Sequence, residues 1–182
     1  MIPAIVVMGV SGSGKSTIGR LLAVEAGLLF VDADDLHSDD ARATMAAGTP
    51  LTDDDRWPWL GRVAEQISQG TAADGIVVAC SALRRSYRDA LVSGALVPIV
   101  FVHLAASSQV IGSRMDARSG HFMPSSLLAS QLETLEPLQP DERGFRVDVS
   151  GSLAETVTAV HSALSSTLYP HGDHNERIPA AL

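Results

Sequence analysis

Short apolar runs alternate with longer amphipathic stretches along this chain. The apolar runs predict five buried strands, at Ala4–Met8, Leu28–Val31, Ile76–Cys80, Ile99–Leu104 and Phe145–Val149. Apolar residues recur at helical spacing between and after these runs, which predicts helices over residues 15–26, 39–47, 52–69, 84–92, 107–117 and 125–136, and a last helix from residue 152 onwards. Strands that alternate with helices are typical of an α/β fold, in which helices flank a parallel β-sheet.

Capping residues, glycines and prolines mark the ends of these helices. Gly27 is well placed to stop the first helix. Pro58 predicts that the third helix begins close to it, because proline is tolerated in the first turn. Ser152 and Glu155 form a capping box for the last helix. Its predicted apolar stripe comprises Leu153, Val157, Val160, Leu164 and Leu168. The sequence shows no internal repeat and no interdomain linker, so residues 1–168 are expected to form one domain, followed by a loose polar tail at 169–182.

Composition narrows the class of function. The chain has 182 residues and a formal net charge of −8, so a broad nucleic-acid or anionic-membrane surface is not expected. No apolar run is as long as a membrane span, and the first residues lack the basic stretch of a signal peptide. Cys80 is the only cysteine and cannot form an internal disulfide, so a reducing cytoplasm is the expected location.

The strongest chemical signal is a phosphate-binding loop. Its sequence from Gly9 to Ser16 is GVSGSGKS, which matches G-x-x-x-x-G-K-[ST] between a predicted strand and a predicted helix. Glycines let backbone N–H groups turn toward phosphate oxygens, and the helix N-terminus adds partial positive charge. Lys15, the only lysine in the chain, is expected to reach the β- and γ-phosphates of ATP, and the Ser16 hydroxyl is expected to bind Mg²⁺. A glycine-rich turn without a ligand would need neither residue. The residues expected to contact ATP here are Gly9, Ser11, Gly12, Ser13, Gly14, Lys15, Ser16 and Thr17.

Acids follow the second predicted strand, at the edge where open α/β sheets bind ligands. In an extended segment, Asp32 and Asp34 would point to the same side. One could support the magnesium while the other meets the acceptor hydroxyl, because the third strand ends without the usual acid. Alternatively, these acids only cap the next helix. His37 could hydrogen-bond a substrate hydroxyl or merely the backbone.

Arginines supply further candidate cations. Arg114 and Arg118 are four residues apart and share a helix face, just before a predicted lid at 118–126. Arg118 is expected to neutralise charge on the transferring phosphoryl group, and Arg114 to contact the nucleotide. An ordinary solvated basic face is the alternative. Arg56 could pair with the neighbouring acids at 53–55. Cations at a helix N-terminus, here Arg84, Arg85 and Arg88, favour an anionic ligand, although Arg85 and Arg88 could also be surface charges.

These motifs together resemble the gluconokinases, a group of P-loop small-molecule kinases related to shikimate kinase. The matching segments are residues 8–17, 32–37, 50–56 with 58–60, 80–84 with 87–89, 114–122 and 131–137. The most specific of them are CSAL at 80–83 and GHF at 120–122. Departures are small: Ala33 replaces a glycine found in some members and Ser38 replaces a common proline.

The resemblance implies ATP-dependent phosphorylation of gluconate at the 6-hydroxyl by an enzyme that is often a homodimer. By analogy with the shikimate kinase relatives, Asp34 would contact the acceptor and accept its proton, and Arg56 would bind the substrate carboxylate. Asp32 would hold Mg²⁺ through water. The substrate-binding residues that the resemblance suggests are Asp34, His37, Arg56, Ser81, Arg84 and His121. Two alternatives stay open, namely another small hydroxy acid as substrate and a regulatory nucleotide-binding module without turnover.

Overall fold

The structure is a computed structural model that describes residues 3–116 and 125–168. Within these residues, the strands are β1 Ala4–Met8, β2 Leu29–Asp32, β3 Ile76–Ala79, β4 Ile99–Ala105 and β5 Gly144–Asp148. The helices are α1 Lys15–Ala26, α2 Asp39–Ala46, α3 Asp53–Ala72, α4 Arg85–Ala95, α5 Ser108–Asp116, α6 Ser125–Thr134 and α7 Leu153–Leu168. The alternation of strands and helices confirms the predicted α/β fold.

All described strands pair in parallel, in the order β2-β3-β1-β4-β5. The central strand β1 is buried along its whole length, between β3 and β4. One face of the sheet packs against α3 and α4 through residues such as Trp59, Ile67 and Leu91. The other face packs against α1 and α7 through residues such as Ile18 and Val160. These two apolar layers fix the sheet, and the parallel strands bring their carboxyl ends to one edge.

Several element ends differ by one to three residues from the predicted bounds, and three further local features differ from the sequence predictions. Helix α3 begins at Asp53, so Pro58 is its sixth residue and lies in the second turn rather than the first. The residues after β2 form a short 3-10 helix at Ala33–Leu36 rather than an extended segment. Leu153 is 51% exposed and is not part of the buried stripe of α7 as predicted. Thr156, which was not predicted to be buried, is buried and donates a hydrogen bond from its hydroxyl to the carbonyl of Ser152.

Some predictions fall outside the described residues. The lid predicted over 118–126 does so apart from residues 125 and 126, which begin α6. The tail at 169–182 also lies outside them, so the predicted domain limits stay a prediction. Across the described part of the chain, no helix is both long and apolar enough to cross a membrane.

Candidate active site

The phosphate-binding loop joins β1 to α1 at the carboxyl edge of the sheet. Gly9 has a φ of 139°, and a Cβ atom there would lie 2.6 Å from the carbonyl oxygen of Leu104, so only glycine fits. The residue before α1 is Gly14, and no described side chain caps this helix end. The first-turn N–H groups of α1 are therefore available to an anion. Lys15 donates from Nζ to the carbonyl of Val10 across the loop, at 3.1 Å.

A hydroxyl and a carboxylate meet beside this loop. Ser16 donates from Oγ to Oδ2 of Asp32 at 2.6 Å, while the other oxygen of Asp32 accepts from the backbone N–H of Asp34 at 3.2 Å. Asp32 thus caps the 3-10 helix and also faces the phosphate loop. The described residues contain no group of three or more His, Cys, Asp or Glu that could hold a metal by themselves. A hydroxyl with one carboxylate fits Mg²⁺, which prefers oxygen ligands and completes its shell with water and phosphate.

The residues at the end of β3 include no acid that could serve as a further ligand for Mg²⁺. Cys80 is fully buried, and burial raises the pKa of its thiol to about 12. The residue is therefore a neutral thiol at physiological pH. Ser81 follows it and reaches the pocket described next.

One pocket joins the phosphate loop to helix α6 and to the segments that follow β2, α2 and β3. It is lined by Ser11, Lys15, Asp34, His37, Met45, Pro50, Leu51, Arg56, Trp59, Ser81, Leu83, Tyr87, Ser130, Gln131 and Thr134. We call it the acceptor pocket. It brings together four of the six residues that the sequence predicted to bind substrate: Asp34, His37, Arg56 and Ser81. Arg84 is not among the described lining residues, and His121 lies outside the described residues.

Asp34 has the electrostatic surroundings of a proton acceptor. Its carboxylate is open to solvent through the pocket, yet the surrounding protein removes enough water to raise its pKa, and Asp32 and Asp35 raise it further. The positive charge of Lys15 opposes this rise. A carboxylate with a raised pKa is a stronger base than an ordinary aspartate.

His37 is held as a neutral imidazole against an aromatic wall. Its ring stacks on Trp59 with centroids 4.4 Å apart, and the indole N–H of Trp59 donates to the carbonyl of Ala33 at 2.7 Å. Burial lowers the pKa of His37 to about 4, with further lowering by Arg62 and other arginines. Its Nδ1 is buried and has no hydrogen-bond partner among the described residues. As a neutral imidazole, His37 can donate a hydrogen bond from one ring nitrogen and accept one at the other.

Arg56 reaches the pocket from the first turn of α3, within a network of hydrogen bonds. It donates to the hydroxyl of Tyr87 at 3.1 Å and lies 3.5 Å from a carboxylate oxygen of Asp53. Tyr87 donates to the same oxygen of Asp53 at 2.6 Å, and Arg84 binds the other oxygen at 2.7 Å. The Tyr87 hydrogen bond is the largest cause of the lowered pKa of Asp53, and the arginines lower it further. Arg56 is therefore oriented before any substrate arrives.

The two other arginines at the start of α4 form ion pairs and hydrogen bonds within the protein. Arg85 forms a bidentate pair with Asp141 and also binds Asp89. Arg88 is fully buried, donates to Glu142 at 2.9 Å, and also donates to the carbonyls of Ala82, Leu83, Glu136 and Pro137. The interpretation that an anionic ligand explains these charges is wrong for Arg85 and Arg88, because protein acids and carbonyls already pair with them.

Arg114 lies on the other side of the phosphate loop. It donates to the backbone carbonyls of Val149 and Gly151. It also lines a second pocket with Gly12, Ser13, Gly14, Thr17, Ile18, Val149, Leu153 and Thr156, which we call the nucleoside pocket. Arg118, which was predicted to share a helix face with Arg114, lies outside the described residues.

Two contributors to the site were not identified from the sequence. Gln131 lines the acceptor pocket and accepts a hydrogen bond from the loop N–H of Ser11 at 2.6 Å. Tyr87 also lines the pocket and orients Arg56. Both belong to segments that resemble the gluconokinases, but no local spacing gives either a role. Their partners are 120 and 31 residues away along the chain.

Comparisons with known proteins agree with this geometry. Residues 5–138 match the family model described as an AAA domain. The chain is 47% identical over 144 residues to a gluconokinase of Gluconobacter oxydans (strain 621H), covering 79% of this chain and 80% of that protein. It is 40% identical over 162 residues to a thermosensitive gluconokinase of Escherichia coli (strain K12), covering 87% and 86% respectively. A crystal structure of a gluconokinase from Sinorhizobium meliloti 1021 matches with a TM-score of 0.83 and 47% identity, covering 93% of this chain and 97% of that one. With this identity over most of its length, the chain belongs to the gluconokinase family.

Proposed function

We propose that this protein transfers the γ-phosphoryl group of ATP to the 6-hydroxyl of gluconate, and that the acceptor pocket binds gluconate. The observation that carries the proposal is one cavity in which Lys15 and Ser11 of the phosphate loop face Asp34 and Arg56. A phosphate cradle alone would suit any nucleotide-binding protein. An acceptor acid and a carboxylate-binding cation in the same cavity suit a kinase that acts on a small acid.

The reaction forms one bond and breaks one. The 6-hydroxyl oxygen bonds to the γ-phosphorus as the bond to the β–γ bridging oxygen breaks, and ADP leaves with that oxygen. Asp34 orients the hydroxyl and accepts its proton, and Lys15 neutralises charge on the phosphoryl oxygens. Phosphoryl transfer depends mainly on such positioning and electrostatics. Ser16 and, through water, Asp32 would hold Mg²⁺, which supplies further positive charge when bound.

The two pockets divide ATP and gluconate between them. The nucleoside pocket adjoins Gly12, Gly14 and Thr17, so the base and ribose of ATP would lie beside Arg114. In the acceptor pocket, Arg56 would pair with the carboxylate of gluconate, and neutral His37 would hydrogen-bond one of its hydroxyls. Gluconate would thus be held at its carboxylate end by charge and at its 6-hydroxyl by Asp34.

A coupled ADP-release assay across a panel of sugars and sugar acids tests the substrate. We expect clear turnover with gluconate and very little with glucose, because the neutral sugar has no carboxylate to form the charge-assisted pair with the Arg56 guanidinium. Equal efficiency on glucose would contradict an acid-binding site. Preferred turnover of another acid, such as shikimate, would support the proposed phosphoryl transfer but assign a different substrate. No turnover with any acceptor would indicate a regulatory nucleotide-binding module.

Replacing Arg56 by alanine is expected to raise the gluconate KM about 10- to 100-fold, the usual loss for one charge-assisted hydrogen-bonded pair. The ATP KM should change little, because Arg56 is not among the residues of the nucleoside pocket. Arg20→Ala is the matched control, since Arg20 lies exposed on α1 over the ring of Phe30. Steady-state kinetics with each substrate varied in turn measures both constants. An unchanged gluconate KM in Arg56→Ala would assign the carboxylate to another residue.

A further inference from the structure

The side chain of Gln131 in helix α6 accepts a hydrogen bond from a backbone N–H group of the phosphate loop, in the acceptor pocket. Gln131 and Ser11 are 120 residues apart, yet Oε1 of Gln131 accepts the backbone N–H of Ser11 at 2.6 Å. Because the partner is an N–H donor, the contacting atom of Gln131 must be its oxygen. The amide nitrogen Nε2 is therefore the other polar end of this side chain, and it has no hydrogen bond to any described residue.

The position of Ser11 in the loop identifies the phosphate that this N–H would meet. Gly12, Ser13, Gly14 and Thr17 line the nucleoside pocket, whereas Ser11 and Lys15 line the acceptor pocket. The N–H of Ser11 is thus on the side of the loop where the phosphoryl group leaves ATP and meets the acceptor. In ADP, the terminal phosphate would stop short of this side.

ATP and Gln131 would compete for this one donor. A γ-phosphoryl oxygen that accepts the N–H of Ser11 cannot lie beside Oε1 of Gln131, because both are hydrogen-bond acceptors, one with full and one with partial negative charge. Rotation about the last side-chain torsion exchanges Oε1 for Nε2, which donates two hydrogen bonds. Without ATP, Gln131 accepts from the loop N–H of Ser11. With ATP bound, its Nε2 would donate to the phosphoryl oxygen instead.

We propose that Gln131 is a further catalytic residue of the reaction, which donates from Nε2 to the γ-phosphoryl group during transfer. This inference rests on the proposed function, because it needs ATP as the phosphoryl donor. It gives the acceptor pocket a neutral donor in addition to the charged Lys15. Such a donor can stabilise phosphoryl charge without adding a cation that would also bind ADP strongly.

The first test replaces Gln131 by methionine, which has a similar length and no amide. We expect kcat to fall about 10- to 100-fold, the usual loss for one hydrogen bond to a charged group, while the Kd for ADP stays unchanged. Gln69→Met is the matched control, since Gln69 lies exposed on α3 and its side chain bonds, within the described part of the chain, only to Glu65 and Gln66. An unchanged kcat would overturn the proposal. Equal weakening of ADP and of the non-hydrolysable analogue AMP-PNP would do so too, because it would indicate a merely structural contact.

The second test replaces Gln131 by glutamate, which keeps the oxygen that accepts from Ser11 but loses the donor. The carboxylate would repel a γ-phosphate more than it repels ADP, so the ratio of AMP-PNP affinity to ADP affinity should fall at least about 10-fold. An unchanged ratio, measured by calorimetry, would place Gln131 away from the γ-phosphoryl group and overturn the proposal. Failure of the proposed function would instead leave the native protein without turnover on gluconate, so the two failures are distinguishable.

Discussion

Replacing Lys15 by alanine is expected to reduce gluconate phosphorylation about 10³-fold or more, the upper end of the effect of removing one preorganised electrostatic group. The ammonium group lines the acceptor pocket beside the loop, where it would meet the β- and γ-phosphates of ATP. No other lysine in the chain can replace it. ATP affinity should fall as well, because the same charge binds the ground state.

The fold should survive this change. In the described structure Lys15 is the first residue of α1, and alanine is the best helix former. Circular dichroism and thermal unfolding check that the variant folds, and Lys15→Arg is the matched variant that keeps the charge. We expect Lys15→Arg to stay strongly impaired, because a planar guanidinium does not fit a site for a compact ammonium. Near-native turnover by a folded Lys15→Ala protein would contradict a phosphate-binding role.

Replacing Asp34 by asparagine is expected to lower kcat roughly 10²- to 10⁴-fold, the usual contribution of a positioned general base. The substitution keeps the shape of the side chain and removes its negative charge and its capacity to accept a proton. ATP affinity should change little, since Asp32 rather than Asp34 contacts Ser16. A collapse of ATP affinity would instead place Asp34 at the metal and exchange the roles of the two acids.

The pH dependence gives an independent check on Asp34. Loss of water around the carboxylate in the pocket raises its pKa above the ordinary value of 3.8, and the proposed role of Asp34 as proton acceptor requires the ionised form. The acidic limb of the pH–kcat/KM profile, which reports the free enzyme, should therefore lie above pH 3.8, and the residual activity of Asp34→Asn should lack that limb. Folding stability depends on pH in the opposite direction from activity. A raised pKa in the folded state means that folding favours the protonated acid, so stability falls as pH rises from the unfolded pKa through the folded one. Asp34→Asn should consequently raise the Tm at neutral pH.

The sequence predicted best what short-range physics determines. The bounds of α1 are confirmed at Lys15 and Ala26, and Gly27 stops the helix with a φ of 66° as expected. The contact between Ser16 and Asp32 joins two segments whose strand–loop–helix context was recognisable. Such features follow from backbone geometry, capping and the shared edge of a parallel sheet.

Contacts between distant segments were harder to predict. The roles of Gln131 and Tyr87 depend on how α6 and α4 pack over the loop, which no local pattern specifies. Arg88 illustrates the same limit, because a charge at a helix start looks like a ligand site until the buried Glu142 is placed beside it. The 3-10 helix after β2 also escaped prediction, since the hydrogen bond from the N–H of Asp34 to Asp32 outweighed the extended pattern.

The stacked pair of His37 and Trp59 has a spectroscopic consequence. The chain contains two tryptophans: Trp59 is 2% exposed and contacts the imidazole in the acceptor pocket, while Trp57 is 41% exposed beside Tyr87. A buried indole emits at shorter wavelength than a solvated one, and its intensity responds to the groups stacked on it. Because His37 stays neutral down to a pH of about 4, its protonation will not disturb this emission under ordinary assay conditions. Trp57→Phe therefore leaves Trp59 as the single tryptophan, and its emission on excitation at the red edge of indole absorption, where tyrosine absorbs little, follows acceptor binding without turnover or label.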